Sequence, residues 1–544
     1  MDVPTDRRFS TSDSFDYADA TTHFDRRTAR NEHRPDGGGR MSSSENTKVC
    51  VVGLDGATWD LLDPWLDDLP TIKSFADERR TTLDSCIPPL SMPAWKVYST
   101  GMNPGDLGVF TFVEPDFEEE RFKTVTNESF TTREIWDYLG EHGHQSAVVN
   151  MPTTYPPRDI DGWQISGPFS GKQEDYTRPE ELGRTLDRND YTILPDYYLS
   201  RDPDDIDGAV HSVEKKLQTT LGFTEKADFV HTTLYLTDTV QHTEWDSPVC
   251  KSFWESVDEK LAWFLGELGD DWNVVLMSDH GFGYTKGRFY LNTWLEQEGY
   301  IHIDDSGFDF GDLFGLVGMD YDRALALMQK LRLSGVVLDA LPESFLRKVA
   351  RQMPGNRKLE GLQDKIDWDA DAVALAPLIY TRNKQVADEI RSKLLEVTDE
   401  DGERVIDEVY YGKNVYPDAD VRVPDLVIKH TDYGISDIVK PGVLFEYDGD
   451  WRHHKTAHHR RNGILTARGP DVEDVEFDEP RLYDLAPTIL DGFGIDIPEE
   501  MRGESLGLLG SNSRRRPVPV DRNVDRVVEH DADVEQKLKD LGYL

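Results

Sequence analysis

Three apolar runs in this chain each end in an acidic residue, and this pattern constrains the fold more than any other feature. The acidic ends are Asp55, Asp238 and Asp279. A short apolar run is typical of a buried strand, and ligands in an open α/β sheet gather just beyond the carboxyl ends of its strands. The sequence therefore predicts an α/β fold with three carboxylates close together at one edge of the sheet.

Three carboxylates at one place repel one another unless a positive charge lies between them. His242 follows Asp238 by four residues, which places both side chains on one face if a helix begins there. His280 directly follows Asp279. Because histidines favour a borderline transition metal over magnesium or calcium, the pattern indicates a metalloenzyme. Each of these motifs taken alone also fits an ordinary turn or helix start.

The stretch from Pro88 to Trp95 predicts the start of a helix, with Ser91 at or just before it. Pro89 keeps the approach extended, and Pro93 suits a first helical turn. The unpaired N–H groups at a helix start favour an alkoxide and an incoming phosphate. Ser91 is therefore a candidate nucleophile that needs a metal or a base beside it, although an N-cap serine gives the same pattern.

The charge of the chain limits its partners and its surroundings. Asp plus Glu total 104 against 60 Lys plus Arg, a formal net charge of −44. Such a surface disfavours nucleic acid and anionic membranes as partners. Because the acid is spread along the whole chain, we expect a halophilic protein that works at high salt, where screening shortens charge repulsion.

Cysteines and hydropathy indicate the compartment. There are three cysteines without metal-type spacing, and Cys50 and Cys86 are typical of small buried hydrophobes. No apolar run approaches the roughly 20 residues that span a bilayer, and the N-terminus lacks the apolar core of a secretory signal. We therefore expect a cytoplasmic protein without a transmembrane segment.

The core is expected to be interrupted by one insertion. Asp322–Leu333 and Leu338–Gln352 have the apolar spacing of amphipathic helices, which indicates a helical cap. The predicted organisation is a disordered extension at 1–46, a core at 47–295, a mainly helical cap at 296–375, a second part of the core at 376–510, and a tail with a short helix at 511–544.

Motifs across the chain resemble one enzyme family. In order they are Gly-Leu-Asp55-Gly, Pro-Pro-Leu-Ser91-Met-Pro-Ala-Trp, Asn150-Met-Pro-Thr-Thr-Tyr155-Pro-Pro, Thr-Asp238-Thr-Val-Gln-His242, Ser-Asp279-His280-Gly and His459-Arg-Arg-Asn-Gly. This set resembles the alkaline phosphatase superfamily, and more closely its type I phosphodiesterase/nucleotide pyrophosphatase branch. The resemblance implies an alkaline-phosphatase-like core, with a central mostly parallel sheet flanked by helices and a helical cap insertion.

The resemblance also implies a site with two divalent metal ions, zinc or alternatively manganese. One ion would be held by Asp238, His242 and His459. The other would be held by Asp55, Asp279 and His280, with Ser91 bound to it as the nucleophile. Asn150 and Tyr155 are further candidates for contacts with the substrate.

The implied reaction is hydrolysis of phosphodiester, pyrophosphate or phosphomonoester bonds through a covalent intermediate on Ser91. The substrate would be a phosphorylated small molecule, such as a nucleotide, a nucleotide-sugar, or a sugar or lipid phosphate. Lys96 is considered as a contact for a monoester, but we expect it to face solvent. The oligomeric state stays open.

Three alternatives share this fold. A phosphomutase would exchange phosphate between positions without net release. A sulfatase matures a serine or cysteine with arginine four positions on, where this chain has Trp95, which disfavours that class. A non-catalytic binding protein would be favoured by missing ligand positions, but all of the expected positions are filled.

Overall fold

A computed structural model describes residues 47–168, 175–302, 367–429, 432–440, 442–447 and 456–510. The predicted disordered extension, both cap helices and the tail helix lie outside these residues. The chain divides into two compact units. The first comprises Met1–Met102, Thr126–Phe282 and Arg460–Arg526, and the second Asn103–Val125, Gly283–His459 and Val527–Leu544. The division into core, cap and tail stays a prediction.

The first unit contains an eight-stranded sheet. Numbered in chain order through both units, its strands are β1 Val49–Leu54, β2 Thr81–Asp84, β5 Ser146–Met151, β6 Gly162–Ser166, β7 Thr177–Arg178, β8 Phe229–Leu234, β9 Asn273–Met277 and β19 Asn462–Arg468. Their order is β2-β19-β9-β1-β8-β5-β6-β7. Strands β9, β1, β8, β5 and β6 run parallel, whereas β2, β19 and β7 pair antiparallel. This confirms the predicted mostly parallel sheet.

The register of the three central strands brings their carboxyl ends to one level. Leu54 at the end of β1 lies opposite Leu234 at the end of β8, and Gly53 lies opposite Met277 at the end of β9. All residues of these three strands are buried. Because each buried aliphatic side chain contributes about 1.5–3 kcal/mol, the burial of these strands strongly stabilises the sheet.

Helices flank the sheet of the first unit. They are α1 Trp59–Leu62, α2 Pro70–Glu78, α3 Ser91–Thr100, α5 Ile135–Glu141, α6 Glu181–Arg188, α7 Asp196–Ser200, α8 Ile206–Leu221, α9 Leu236–Glu244, α10 Pro248–Glu267 and α14 Leu485–Gly492. Short 3₁₀ turns cover Asp63–Asp68, Asn127–Ser129, Pro203–Asp205 and Leu482–Asp484. Within the part of the chain that the structure describes, none of the helices has the length and apolar character needed to cross a bilayer.

The second unit has several small sheets. Its strands are β3 Val113–Asp116, β4 Arg121–Thr124, β10 Gly281–Thr285, β11 Gly287–Tyr290, β12 Ala372–Leu375, β13 Leu378–Thr381, β14 Val409–Tyr411, β15 Leu426–Ile428, β16 Tyr433–Ser436, β17 Phe445–Tyr447 and β18 Thr456–Arg460. Its helices are α4 Pro104–Leu107, α11 Leu291–Gln297, α12 Lys384–Leu394 and α13 Gly412–Val415. Strands pair as β3-β4, β10-β18, β16-β11-β17 and β12-β13-β15-β14.

Apolar runs at Pro424–Ile428 and Val405–Tyr411 each predict a strand in the second unit, and the structure agrees in part. The apolar run at Pro424–Ile428 contains strand β15. The run at Val405–Tyr411 is a strand only from Val409, which corrects the sequence expectation. The Val405 N–H donates instead to the carbonyl of Val397, next to an isolated antiparallel bridge between Thr398 and Arg404, so Val405 is buried beside this bridge and outside β14.

Candidate active site

Asp55 lies at the end of β1 in a turn that glycine makes possible. The carboxylate is completely buried, and Gly56 adopts a left-handed φ of +69°. The Gly56 N–H donates to Asp279 Oδ1 at 3.2 Å, and a Cβ at this position would lie 2.6 Å from the Phe282 ring. The Thr237 hydroxyl donates to the Asp55 carbonyl at 2.6 Å. This turn therefore ties the ends of β1, β8 and β9 together.

Ser91 is the first residue of α3 and is buried. The helix cap is Leu90, with an extended φ of −117°, and no side chain caps the helix. Ser91 is therefore not an N-cap residue, which removes the simpler interpretation of this serine. Its Oγ lies 3.1 Å from His280 Nε2 and 3.4 Å from Asp55 Oδ1.

His280 presents one ring nitrogen to this cluster in a defined state. Its Nδ1 lies 3.1 Å from the Gly281 carbonyl, which only accepts hydrogen bonds, so Nδ1 carries the proton. In the neutral ring the Nε2 lone pair then faces Ser91 Oγ, with Asp55 Oδ1 at 3.6 Å and Asp279 Oδ2 at 3.3 Å. A lone pair beside two carboxylates is the arrangement expected of metal ligands or of a base.

Asp238 and His242 lie on the first turns of α9, which begins directly after β8. Their side chains share one face as predicted, with His242 Nε2 3.5 Å from Asp238 Oδ1. Asp238 is buried, whereas the His242 side chain is 28% exposed and contacts the Phe282 ring at 4.8 Å between ring centres. Ligand atoms of Asp55, Asp238 and His280 all lie within 4.8 Å of one another.

Burial and mutual repulsion change the pKa values of the carboxylates in this cluster. Burial raises the pKa of Asp55 well above its ordinary value, and the charges of Asp279 and Asp238 raise it further. Burial also raises the pKa of Asp279, with a further increase from Asp238, against the hydrogen bond from Gly56. Protons or a cation must therefore balance this negative charge at neutral pH.

The donor atoms fit a divalent cation. Asp279 Oδ2 is buried and receives no hydrogen bond from the described residues when the His280 ring is neutral and Asp55 is ionised. Carboxylate oxygens together with imidazole nitrogen suit zinc or manganese better than magnesium or calcium. The unsatisfied oxygen and the lone pair are both explained if a cation binds here.

His459 belongs to the second unit, where it is the fourth residue of β18 and is buried. Its backbone N–H donates to His458 Nδ1 at 3.0 Å. Its assignment to the same metal ion as Asp238 and His242 stays a prediction from the resemblance.

The two candidate substrate contacts lie at and after the end of β5. Asn150 has a left-handed φ of 59°, and its side-chain amide donates to the Thr233 carbonyl of β8 at 2.8 Å. Its Oδ1 is buried without a hydrogen bond from the described residues. The carbonyl of Tyr155 accepts from the Asn127 N–H at 2.7 Å. Asn150 therefore ties two strands together, and substrate binding by either residue stays a prediction.

Lys96 corrects one sequence expectation. Its side chain is fully buried and does not face solvent. The ammonium pairs with Glu134 Oε1 at 2.8 Å, donates to Asn127 Oδ1 at 2.9 Å, and lies 4.8 Å from the Phe130 ring centre. The sequence of α3 alone gave no signal, since Glu134 is 38 residues away.

Sequence reasoning also missed the side chains that hold the site residues in place. Trp95 Nε1–H donates to Asp55 Oδ2 at 2.8 Å. The Ser278 hydroxyl donates to the Ala57 carbonyl at 2.8 Å, and the Ser85 hydroxyl donates to the Asp279 carbonyl at 2.6 Å. Of these, Trp95 and Ser278 stood in motifs, and the motifs did not show their partners.

With this geometry established, comparison with protein families decides the relationship. The type I phosphodiesterase / nucleotide pyrophosphatase family matches residues 49–438, which is more than half of the chain. The chain belongs to this family. The expected resemblance is confirmed, and membership of the type I phosphodiesterase / nucleotide pyrophosphatase family supports phosphoryl hydrolase activity.

Three solved structures are similar to this chain, and the two with TM-scores of 0.50 or more agree with it on the fold. Phosphonoacetate hydrolase from Sinorhizobium meliloti 1021 is 14% identical, with a TM-score of 0.51 over 81% of this chain and 94% of that chain. The alkaline phosphatase PafA is 14% identical, with a TM-score of 0.50 over 85% and 99%. Murine ectonucleotide pyrophosphatase / phosphodiesterase 5 is 14% identical, with a TM-score of 0.48 over 83% and 96%. A comparison with curated proteins finds no match.

Proposed function

We propose that this family member is a metal-dependent phosphoric ester hydrolase with Ser91 as its nucleophile. The observation that carries the proposal is the contact of the buried Ser91 hydroxyl with His280 Nε2 at 3.1 Å, at a helix start inside the carboxylate cluster. Family membership supports the reaction class, and the nucleophile and the ions are our inference.

In the proposed reaction Ser91 would attack phosphorus, and the start of α3 would stabilise the negative charge on the phosphoryl group. The Ser91 hydroxyl gives its proton to solvent water as Oγ bonds to phosphorus, and the leaving oxygen takes the electron pair of the broken P–O bond and one proton back from solvent, so that the protons balance. The free N–H groups at the start of α3 stabilise negative charge on the phosphoryl oxygens. Water then cleaves the phosphoserine ester and regenerates Ser91.

The residues that would hold metal ions form two sets. Asp55, Asp279 and His280, with Ser91, form one set. Asp238, His242 and, as the resemblance implies, His459 form the other. Bound divalent cations supply positive charge that lowers the pKa of a coordinated hydroxyl or water and stabilises a leaving oxygen. The mixed oxygen and nitrogen donors favour zinc, with manganese as the alternative.

The substrate is proposed to be a phosphorylated small molecule, such as a nucleotide, a nucleotide-sugar, or a sugar or lipid phosphate. A phosphomonoester carries more negative charge than a diester and needs more positive charge around it. Lys96, the cation considered for this purpose, is buried against Glu134. We therefore infer that phosphodiester and pyrophosphate bonds are cleaved faster than monoesters, which a comparison of bis-p-nitrophenyl phosphate with p-nitrophenyl phosphate tests.

Removal of metal is expected to abolish hydrolysis. Protein treated with a chelator should lose p-nitrophenyl ester turnover, and zinc or manganese should restore it, because unbalanced carboxylates cannot activate a hydroxyl. Metal analysis should find two ions per chain, and Asp55→Asn should lower that content. Asp60→Asn, at an exposed acid of α1, is the matched control.

Four outcomes would contradict this proposal. Full turnover in metal-free protein would exclude metal dependence. Transfer of phosphate between substrate positions without net release would favour a mutase, and release of sulfate in preference to phosphate would favour a sulfatase. Tight metal binding without turnover of any ester would favour the binding protein.

We further propose that the protein works in a cytoplasm of high salt. With a net charge of −44, we expect it to unfold in low-salt buffer and to recover in molar salt, because screening weakens repulsion between its acidic side chains. Circular dichroism melts across a salt series measure this. A melting temperature that does not change with salt would count against halophilic adaptation.

A further inference from the structure

Trp95 contacts the carboxylate of Asp55 on the side away from the nucleophile. Its indole N–H donates to Asp55 Oδ2 at 2.8 Å, while the other oxygen, Oδ1, lies 3.4 Å from Ser91 Oγ. Both side chains are completely buried. Ser91 and Trp95 are four residues apart on α3, so one helix contacts both oxygens of this carboxylate.

The position of the indole ring is fixed on several sides. A Cβ on Gly53 would lie 2.3 Å from Trp95 Cη2, so only glycine at this point of β1 leaves room for the ring. The ring meets His231 and Tyr98 edge to face, at 5.6 and 5.8 Å between ring centres. Because Tyr98 OH and His231 Nδ1 are hydrogen-bonded at 3.1 Å, these neighbours are held as well. The indole therefore has little freedom to turn away from Asp55.

We propose that Trp95 is a positioning residue that holds Asp55 so that Oδ1 points toward Ser91 and a bound cation. A ligand carboxylate that is free to rotate must be ordered when the cation binds, whereas one held by a buried donor is already oriented. Hydrogen bonds of this kind to ligand groups typically contribute about 10–100-fold in metal affinity. The inference rests on the proposed function, since it takes Asp55 to be a metal ligand.

The test is Trp95→Phe, measured by zinc titration in competition with a chromophoric chelator. We expect about 10–100-fold weaker binding of one of the two ions, with the second ion and the stoichiometry unchanged. At saturating zinc, the KM for bis-p-nitrophenyl phosphate should stay the same. The matched control is Trp254→Phe in α10, because Trp254 is also completely buried and its Nε1 has no hydrogen-bond partner among the described residues.

A double-variant cycle separates loss of the Asp55 carboxylate orientation from a general loss of packing around Trp95. In an Asp55→Asn background, Trp95→Phe should have no further effect on zinc affinity, because the oriented carboxylate is already gone. If Trp95→Phe does not fold, replacement of Trp95 by 3-benzothienylalanine keeps the ring shape and removes only the N–H donor. That replacement should show the same loss of affinity.

The outcomes distinguish this inference from the proposed function. If the unmodified protein binds zinc and hydrolyses esters while Trp95→Phe and Trp254→Phe bind zinc equally well, the positioning role is wrong and the proposed function stands. If the unmodified protein neither binds zinc nor turns over any ester, the proposed function fails, and the inference fails with it.

Discussion

Ser91→Ala is expected to reduce ester hydrolysis by about 10³-fold or more while leaving thermal stability and the number of zinc ions bound at saturating zinc close to those of the unmodified protein. The physical reason is that the substitution removes one buried hydroxyl and no carboxylate or imidazole. The oxygen that lies 3.1 Å from His280 Nε2 is lost, and with it the atom that would bond to phosphorus.

Two companion variants make the result specific. Ser91→Thr keeps a hydroxyl at the same position, so it should retain much of the activity. Ser252→Ala, at an exposed serine of α10, should change nothing. Release of p-nitrophenol at saturating zinc is the measurement. Turnover by Ser91→Ala at the unmodified rate would mean that water attacks phosphorus directly and that no phosphoserine forms.

The central strands could be predicted from sequence because each one is marked by a continuous run of apolar residues. The apolar runs ending in Asp55 and Asp279 are strands β1 and β9, and adjacent parallel strands end at the same level. The apolar run that ends in Asp238 is not a strand to its end. Strand β8 stops at Leu234, and Leu236 already belongs to helix α9. An apolar residue fits a strand and a helix start equally well, so periodicity gave no boundary there.

Partners that come from distant parts of the chain were not predictable. Nothing near Lys96 in sequence carries the charge that balances it, so a solvated lysine was the natural expectation. Trp95 is similar, because its hydrogen-bond acceptor is 40 residues away. Such contacts form only when the sheet places α3 against its neighbours, and no spacing rule within a helix contains that information.

Glu134→Gln is expected to lower the free energy of unfolding by about 3–5 kcal/mol, the usual cost of removing one partner from a buried ion pair. Glu134 is buried and accepts from Lys96 at 2.8 Å and from Arg158 at 2.9 Å. The glutamine has nearly the same shape, but it leaves the Lys96 ammonium buried without this negative charge. Urea denaturation in molar salt measures the change.

Control variants separate this effect from ordinary loss of a surface ion pair. Glu141→Gln removes the acid of a more exposed pair with Arg133 at 2.8 Å and should cost no more than about 1 kcal/mol. The double variant Lys96→Met with Glu134→Gln should recover part of the loss, because no unpaired ammonium remains at position 96. Equal stability of Glu134→Gln and Glu141→Gln would show that the buried pair contributes nothing.

The pH dependence of the Glu134→Gln effect has a definite sign. Burial raises the pKa of Glu134, but the charges and hydrogen bonds of Lys96 and Arg158 outweigh burial and hold the pKa at about 2. Because the folded-state pKa lies below that of the unfolded chain, this carboxylate stabilises the fold fully above the unfolded value. Its contribution is lost as the pH falls toward 2. The stability difference between the unmodified protein and Glu134→Gln should therefore be constant near neutrality and shrink in acid, and a difference that grows in acid would contradict the ion-pair explanation.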